Sequence, residues 1–501
     1  MAMTLAEALA NETNIKATDN GAVARETTTS SLLDFFGVCG AMRNTSEDEI
    51  LGMFGKAYAE DALNSLKILF YTRDVRGGVG ERKTFKTILK YLGNMHPEVV
   101  VANMDLIGGV YGRFDDLYAL IDTKAEKDMW EYMRAIYDAD MENMENGKPI
   151  SLWAKWVANP NNKLAATRAL ARRTAKGLGF GSKGYTTYCK NLSKMRKYLD
   201  LPEIKIAAKD YASIDYSKVA SKCLMKYRGA FQKHDNERYQ EFLNAVERGE
   251  KKINTSTVVP YDVLHNVRKY RSVSDYINGD MKQLELTWSN LPNYLMNDTH
   301  NVLVMCDTSG SMSCSNGKPL EVAISLSMYF AERNHGAYHN KFITFSHVPS
   351  YRDVKGDNLY SKYKNVMSAD WDNDTNIEAA FDLILQTAIK YKVAQEDIPT
   401  ALLIISDMQF NPYWCKSGED FQMAMARKFM EHGYTLPNVI FWNVNATNPV
   451  FHSTKNKVGV QLVSGENPAI FQQVMQALDM TAYDAMMKVL TSERYNLVTL
   501  N

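Results

Sequence analysis

An apolar run that stops at an acid followed by alternating hydroxyls constrains this chain more than any other stretch: residues 301–311 read NVLVMCDTSGS. Residues 301–306 have the length and apolar content of a buried parallel strand, and Gly310 lets the following loop turn tightly. Asp307, Ser309 and Ser311 fall at alternate positions. Their oxygens can therefore converge on one hard cation, which takes such ligands at about 2.1 Å if it is magnesium. Open α/β sheets place their ligands in loops at the carboxyl ends of parallel strands. The rest of the segment 297–501 keeps the rhythm, with strands expected near 301–306, 341–345, 401–406 and 438–443 and helices near 320–335, 376–391, 419–432 and 468–479. That alternation predicts a doubly wound, mainly parallel sheet covered by helices on both faces.

Two later segments supply further oxygens. Asp374, Thr375 and Asn376 open an amphipathic run over 377–391, which puts the Thr375 hydroxyl at a helix start. Residues 401–406 form another apolar strand, again ending at an acid, Asp407. The set D-x-S-x-S, a distant Thr and a distant Asp resembles the metal-ion-dependent adhesion site of von Willebrand factor A domains. The resemblance implies that Asp307, Ser309, Ser311, Thr375 and Asp407 surround one divalent cation, whose open position takes a carboxylate from an acidic protein partner. Two acids and three hydroxyls leave positions for water, which favours Mg2+ over Ca2+. The chain departs from that family in carrying Asp374 and Asn376 where a glycine commonly flanks the Thr. The competing reading of DTSGS is a helix N-cap with a turn glycine, and of Asp407 a solvated strand end.

Ahead of this lies a different pattern. Residues 1–30 are polar and read as an arm, while 31–36, 47–71 and 83–92 carry apolar residues at spacings of three and four. The region 31–296 is thus expected to be an all-α helical-repeat (HEAT-like) domain of stacked antiparallel pairs. Two joints within it, RDVRGGVGER at 73–82 and YGRFDDL at 111–117, resemble signatures of the Ro autoantigen (TROVE) family, in which a helical-repeat ring precedes a von Willebrand factor A domain. In the middle region, Trp153-Ala154-Lys155-Trp156, residues 214–219 (IDYSKV) and residues 230–235 (AFQKHD) are closer to an uncharacterised family of phages, bacteria and plants with the same layout. The resemblance implies RNA binding: structured RNA on a basic surface and single-stranded ends in the ring. The joints themselves read as structural, with arginines and acids pairing across helix layers. A phosphate loop is disfavoured because RGGVGER lacks a G-K-[ST] ending and a preceding strand.

Charge marks the middle region. The chain of 501 residues is neutral overall, with 58 basic and 58 acidic residues, yet 151–200 holds eleven basic residues against Asp200 alone. A surplus of this size on a neutral chain is an electrostatic footprint for polyanions. Arg168, Arg172 and Lys176 stand four apart on one predicted helical face, beside Lys163 and Arg173, and a second basic helix carries Lys190, Lys194 and Lys197. Between them lies a glycine-rich loop with Lys183, while Phe180, Tyr185 and Tyr188 offer rings for unpaired bases. The competing reading is a solvated charged face.

The remaining features exclude more than they assign. Six cysteines show no zinc spacing and are expected to be reduced thiols; with no apolar run of 18 residues and no leader pattern, a cytoplasmic protein without a membrane partner is expected. Hydrophobic residues at 45% and charged residues at 23% supply cores for two or three domains. No histidine stands beside Asp307, Thr375 or Asp407 in a metal-activated water motif, so the expectation is a non-catalytic RNA-binding protein rather than an enzyme. A metal-dependent assembly module is the alternative. The last twenty residues read as a helix with Tyr483, Met487 and Leu490 on one face, packed back on the helical domain.

Overall fold

The computed structural model describes residues 13–279, 281–295, 301–369, 375–412 and 421–501. They form a mixed α/β protein that packs as two compact units, neither of them a single chain segment. One comprises 13–72, 76–84 and 256–492, and the other 73–75, 85–255 and 493–501. Packing therefore groups the chain differently from a linear cut at 296/297.

The first unit is built on a six-stranded sheet. Its strands are β3 (Val302–Cys306), β4 (Lys341–Thr344), β5 (Tyr351–Asp353), β6 (Ala401–Ser406), β7 (Asn438–Asn443) and β8 (Val460–Ser464), in the order β5-β4-β3-β6-β7-β8. All neighbours are parallel except β5, which runs antiparallel to β4 at the edge. Every residue of β3, β6 and β8 is buried, as strands covered by helices on both faces require. The helix Cys314–Arg333 packs on β3, β4 and β6. Three left-handed residues, Ser315, Asn316 and Gly317 (φ 51°, 62° and 75°), break its first turn, and regular helix starts around Pro319, where a proline is tolerated. The chain leaves β3 for β4 on one side and reaches β6 on the other. The order reverses at the β3/β6 pair, the position at which open α/β sheets place their ligands.

The helix Ser31–Val38 belongs to this unit and packs on β8 with Ala482–Leu490. Seven of its eight residues are buried, and a helix apolar all round needs partners on several sides, which a stack of helix pairs does not give it. The expected helix over 47–71 divides at Asp61, whose carboxylate accepts from the Asn64 amide (2.9 Å) and so starts a second helix, Ala62–Arg73. The polar arm is partly structured: β1 (Lys16–Ala17) and β2 (Val23–Ala24) form a short hairpin. At the other end, Leu490 is buried as expected, but with Ala482 and Met486 in place of Tyr483 and Met487; this helix belongs to the α/β unit, while residues 493–501 group with the helical unit.

The second unit is helical. Here Arg73 and Asp116, one from each glycine-rich joint, form a buried ion pair at 2.8 Å, 5% and 0% exposed. Asp116 also accepts from the Arg113 amide (3.0 Å), and Asp74 is held by Arg494 (2.7 Å) and the Tyr495 hydroxyl (3.1 Å). In the α/β unit, Glu81 pairs with Arg43 (2.6 Å), and the Gly78 carbonyl accepts from Asn467 (2.7 Å). A Cβ on Gly78 would stand 2.2 Å from the Tyr71 carbonyl, so no other residue fits there. The joints are structural, held through ion pairs and close backbone approach.

Removing one member of a buried pair leaves the other charge without compensation, at a cost of about 3–5 kcal/mol. Arg73→Ala should therefore lower the thermal midpoint markedly, and Asp116→Ala similarly. The double variant should lose less than the two singles summed; additive losses in a double-mutant cycle would show that the pair does not couple.

Candidate metal centre and basic face

The pairing of β3 with β6 sets Cys306 beside Ile405, so the next residue, Asp307, emerges against Ser406 at the crevice. Its amide donates to the Ile405 carbonyl (3.0 Å). Its carboxylate accepts from the Ser406 hydroxyl (2.5 Å) and the Ser309 amide (2.8 Å). The Ser309 and Ser311 hydroxyls lie 3.1 Å apart, and that of Ser311 also bonds Asp407. Gln409 ties in the remaining member, its amide donating to Asp407 (3.2 Å) and its carbonyl accepting from the Thr375 hydroxyl (3.2 Å). Thr375 is free of capping duty because Asn376 caps the helix Ile377–Tyr391. Asp374 lies outside the described residues.

The structure thus brings the five expected residues into one hydrogen-bonded network, buried except at Ser311, which is exposed. Asp307, Ser309, Thr375 and Asp407 are at most 3% exposed. Burial pushes the Asp307 carboxyl up, against the bonds from Ser406 and Ser309. Burial, then the charge of Asp307, pushes Asp407 up to about 7 against the bonds from Ser311 and Gln409. No lysine or arginine pairs with either acid among the described residues. Two desolvated carboxylates with hydroxyls and no organic cation suit a hard divalent ion. No group of three His, Cys, Asp or Glu side chains that could hold a metal gathers among the described residues, so a cation here would have two carboxylates and otherwise neutral oxygens. Ser406 and Gln409 were not identified from sequence. A hydroxyl closing an apolar strand beside an acid was the available signal for Ser406, whereas nothing local marks Gln409.

The basic segment lies in the helical unit. Helices Ala165–Gly177 and Tyr185–Tyr198 pack on each other and on Glu126–Glu145, burying Ala171, Thr174, Ala175, Tyr188, Leu192 and Met195. Lys163, Arg172, Lys176, Lys183, Lys190, Lys194 and Lys197 remain exposed, without an acidic partner among the described residues. Arg173 does not join them: it pairs with Asp122 (2.5 Å) and Glu126 (2.9 Å). Arg168 holds its own loop through the carbonyls of Asn162 (2.9 Å) and Lys163 (2.7 Å), and half-buried Arg196 donates to that of Ala154 (2.8 Å). The aromatic expectation is also corrected, since Tyr188 is fully buried and Phe180 meets Tyr137 edge-on at 5.4 Å. Tyr185 is half-buried, stacked on Tyr188 (6.3 Å) below Arg172 (5.9 Å).

The acid pair predicts a pH dependence for the cation-free protein. Between the ordinary carboxyl value of 3.8 and about 7, the folded state holds a proton on Asp407 that the unfolded state has released. Stability should therefore fall as pH rises through that window and level off above it. Thermal melts in chelator at pH 4.5, 5.5 and 7.5 check this: Asp407→Asn should flatten the fall, and an unchanged slope would mean the carboxyl is not perturbed.

Residues 18–176 and 183–298 match the model of a domain of unknown function, DUF2828, and residues 301–496 match that of a second domain of unknown function, DUF7788. Over 527 residues the chain is 29% identical to the uncharacterized protein L728 of Acanthamoeba polyphaga mimivirus, covering 97% of this chain and 89% of that protein. These matches do not name the Ro family, so the Ro resemblance rests on the joint motifs and the order of the modules. DUF2828 accounts for more than half of the sequence, and the chain belongs to the DUF2828 family.

Proposed function

We propose that this DUF2828 protein is a non-catalytic RNA-binding protein whose α/β unit carries a site for one divalent cation, Mg2+ in preference to Ca2+. The observation that carries the RNA reading is the set of seven exposed basic side chains on, between and just ahead of two adjacent helices, without acidic partners among the described residues and with Tyr185 beside Arg172. Like charges held this close repel one another in the free protein, and a phosphate backbone relieves that repulsion while releasing its own counterions. The Ro-like joints and the resemblance of the α/β unit to a von Willebrand factor A domain support the same assignment.

A second reading, metal-dependent capture of an acidic protein partner, is favoured by the convergence of Asp307, Ser309, Ser311, Thr375 and Asp407. The two carboxylates would neutralise the ion, the hydroxyls would fill neutral positions, and water would complete the shell. A bound ion supplies an electrophilic grip on a partner carboxylate. The chain's own residues fix where that grip is offered and keep it in a desolvated crevice, where the attraction is strong.

Replacing Lys190, Lys194 and Lys197 with Glu should weaken binding of a single-stranded RNA and reduce the salt slope by about 0.7 for each phosphate that is no longer neutralised. These side chains are exposed, so the fold should be unaffected. Filter binding at two salt concentrations decides; wild-type affinity with a wild-type slope would remove this face from the RNA surface. For the cation, calorimetric titration with magnesium should give heat for the wild type and none for Asp307→Ala. The metal reading fails if both proteins give equal heats or if neither responds at millimolar magnesium.

A further inference from the structure

The basic surplus over 151–200 has a counterpart further along the helical unit. Residues 216–234 hold Lys218, Lys222, Lys226, Arg228 and Lys233 and no acid, between Asp215 and Asp235. Most of this stretch is the helix Ser221–His234, which buries Ser221, Leu224, Met225 and Phe231. Another stripe of the same helix, Lys222, Lys226, Gly229 and Lys233, falls at spacings of three and four and is exposed throughout. Neither Lys226 nor Lys233 pairs with an acid among the described residues, and Lys226 lies over the half-buried ring of Tyr227 (4.9 Å). Glycine inside a helix is unfavourable relative to alanine. Here no neighbour requires it, since a Cβ on Gly229 would meet nothing within 4 Å. It leaves bare backbone between two lysines, open to close approach from solvent.

The short helix Trp153–Trp156 joins this stripe to the first basic face. It packs on Tyr185–Tyr198, whose Arg196 donates to the carbonyls of Ala154 (2.8 Å) and Val157 (3.0 Å). Lys155 and Lys226 both stand close to Cys223: burial, then the charge of Glu203, pushes that thiol up to about 12, against the charges of the two lysines. Trp153 is fully buried, edge-on to Tyr137 (5.7 Å). Trp156 instead stays half-buried, with the Arg113 guanidinium (4.2 Å) and the Lys155 ammonium (5.3 Å) over its ring. An accessible indole flanked by cations is a stacking position for an unpaired base beside its phosphates. A duplex keeps its bases stacked on one another and is held mainly by shape and phosphates.

Resting on the RNA reading above, we propose that the RNA surface is a track for a single strand, running from Lys190, Lys194 and Lys197 over Lys155 to Lys226 and Lys233, with a base stacked at Trp156. Strand length, rather than double-helical shape, then sets the affinity.

Fluorescence anisotropy of the full chain with a short and a long uridine oligonucleotide, and with a duplex of the longer length, tests this. The long single strand should bind about ten-fold tighter than the duplex. Lys226→Glu with Lys233→Glu should weaken the long strand about ten-fold and lower its salt slope by about 0.7 for each phosphate no longer neutralised, leaving the short strand near wild type. Gly229→Gln adds a side chain without charge, so it should weaken the long strand at an unchanged slope while raising the thermal midpoint. Trp156→Ala should cost single strands about ten-fold, and Trp156→Phe should restore most of that; thermal melts of both variants separate a stacking loss from a folding loss. Wild-type affinity for the long strand in the Lys226/Lys233 and Trp156→Ala variants, with binding lost on charge reversal of Lys190, Lys194 and Lys197, would confine RNA to the first face and overturn the track. Equal affinity for duplex and single strand would overturn it too. No binding of any of these RNAs by the wild type would remove the RNA reading and this proposal together.

Discussion

The pairing of β3 with β6 is the constraint on which the α/β unit depends. Both strands are wholly buried, so a register slip by one residue would turn every side chain to the opposite face and break its packing against the helices there. The observed register therefore fixes more than the core. It makes Asp307 and Ser406 neighbours and puts Asp407 one residue further, leaving the two acids at the same end of the crevice. Neither acid would remain buried for packing reasons alone, since burial raises both carboxyls. Structural strength in the strands and electrostatic strain in the loops thus arise from one set of backbone hydrogen bonds.

Sequence patterns revealed the strands whose apolar runs are long and unbroken. They failed where tertiary partners decide. β5 has three half-buried residues, and β8 is interrupted by Gln461, which is buried because its side chain donates to the Ala477 carbonyl (2.8 Å). The hairpin strands are two residues each, too short for any periodicity. The convergence of the five residues expected at the cation site was legible because each falls at a strand end or a helix start, positions that local patterns mark well. Ser406 and Gln409 were not, since their roles depend on segments that meet only in the folded chain.

Charge was legible in amount but not in distribution. A count of basic residues treats Arg173 and Lys176 alike. Yet the acids that engage Arg173, Asp122 and Glu126, stand 51 and 47 residues before it, while Lys176 is exposed and unpaired among the described residues. Arginine's planar fork suits fixed internal bonds to acids and carbonyls. Lysine's compact, strongly hydrated charge is cheaper to leave in water. The division is visible within one segment: Arg168, Arg173 and Arg196 hold loops and helices in place, and the exposed charge is mainly lysine.

The two candidate surfaces therefore rest on opposite physics. Exposed lysines act through a field that salt screens within about 8 Å at physiological ionic strength, so any polyanion they hold is held in proportion to how little salt competes. The acid pair acts in a crevice from which water is largely excluded, where the same salt has little effect and the penalty for an uncompensated charge is large. A ligand for the first surface is selected by total charge, and one for the second by the geometry of a few oxygens.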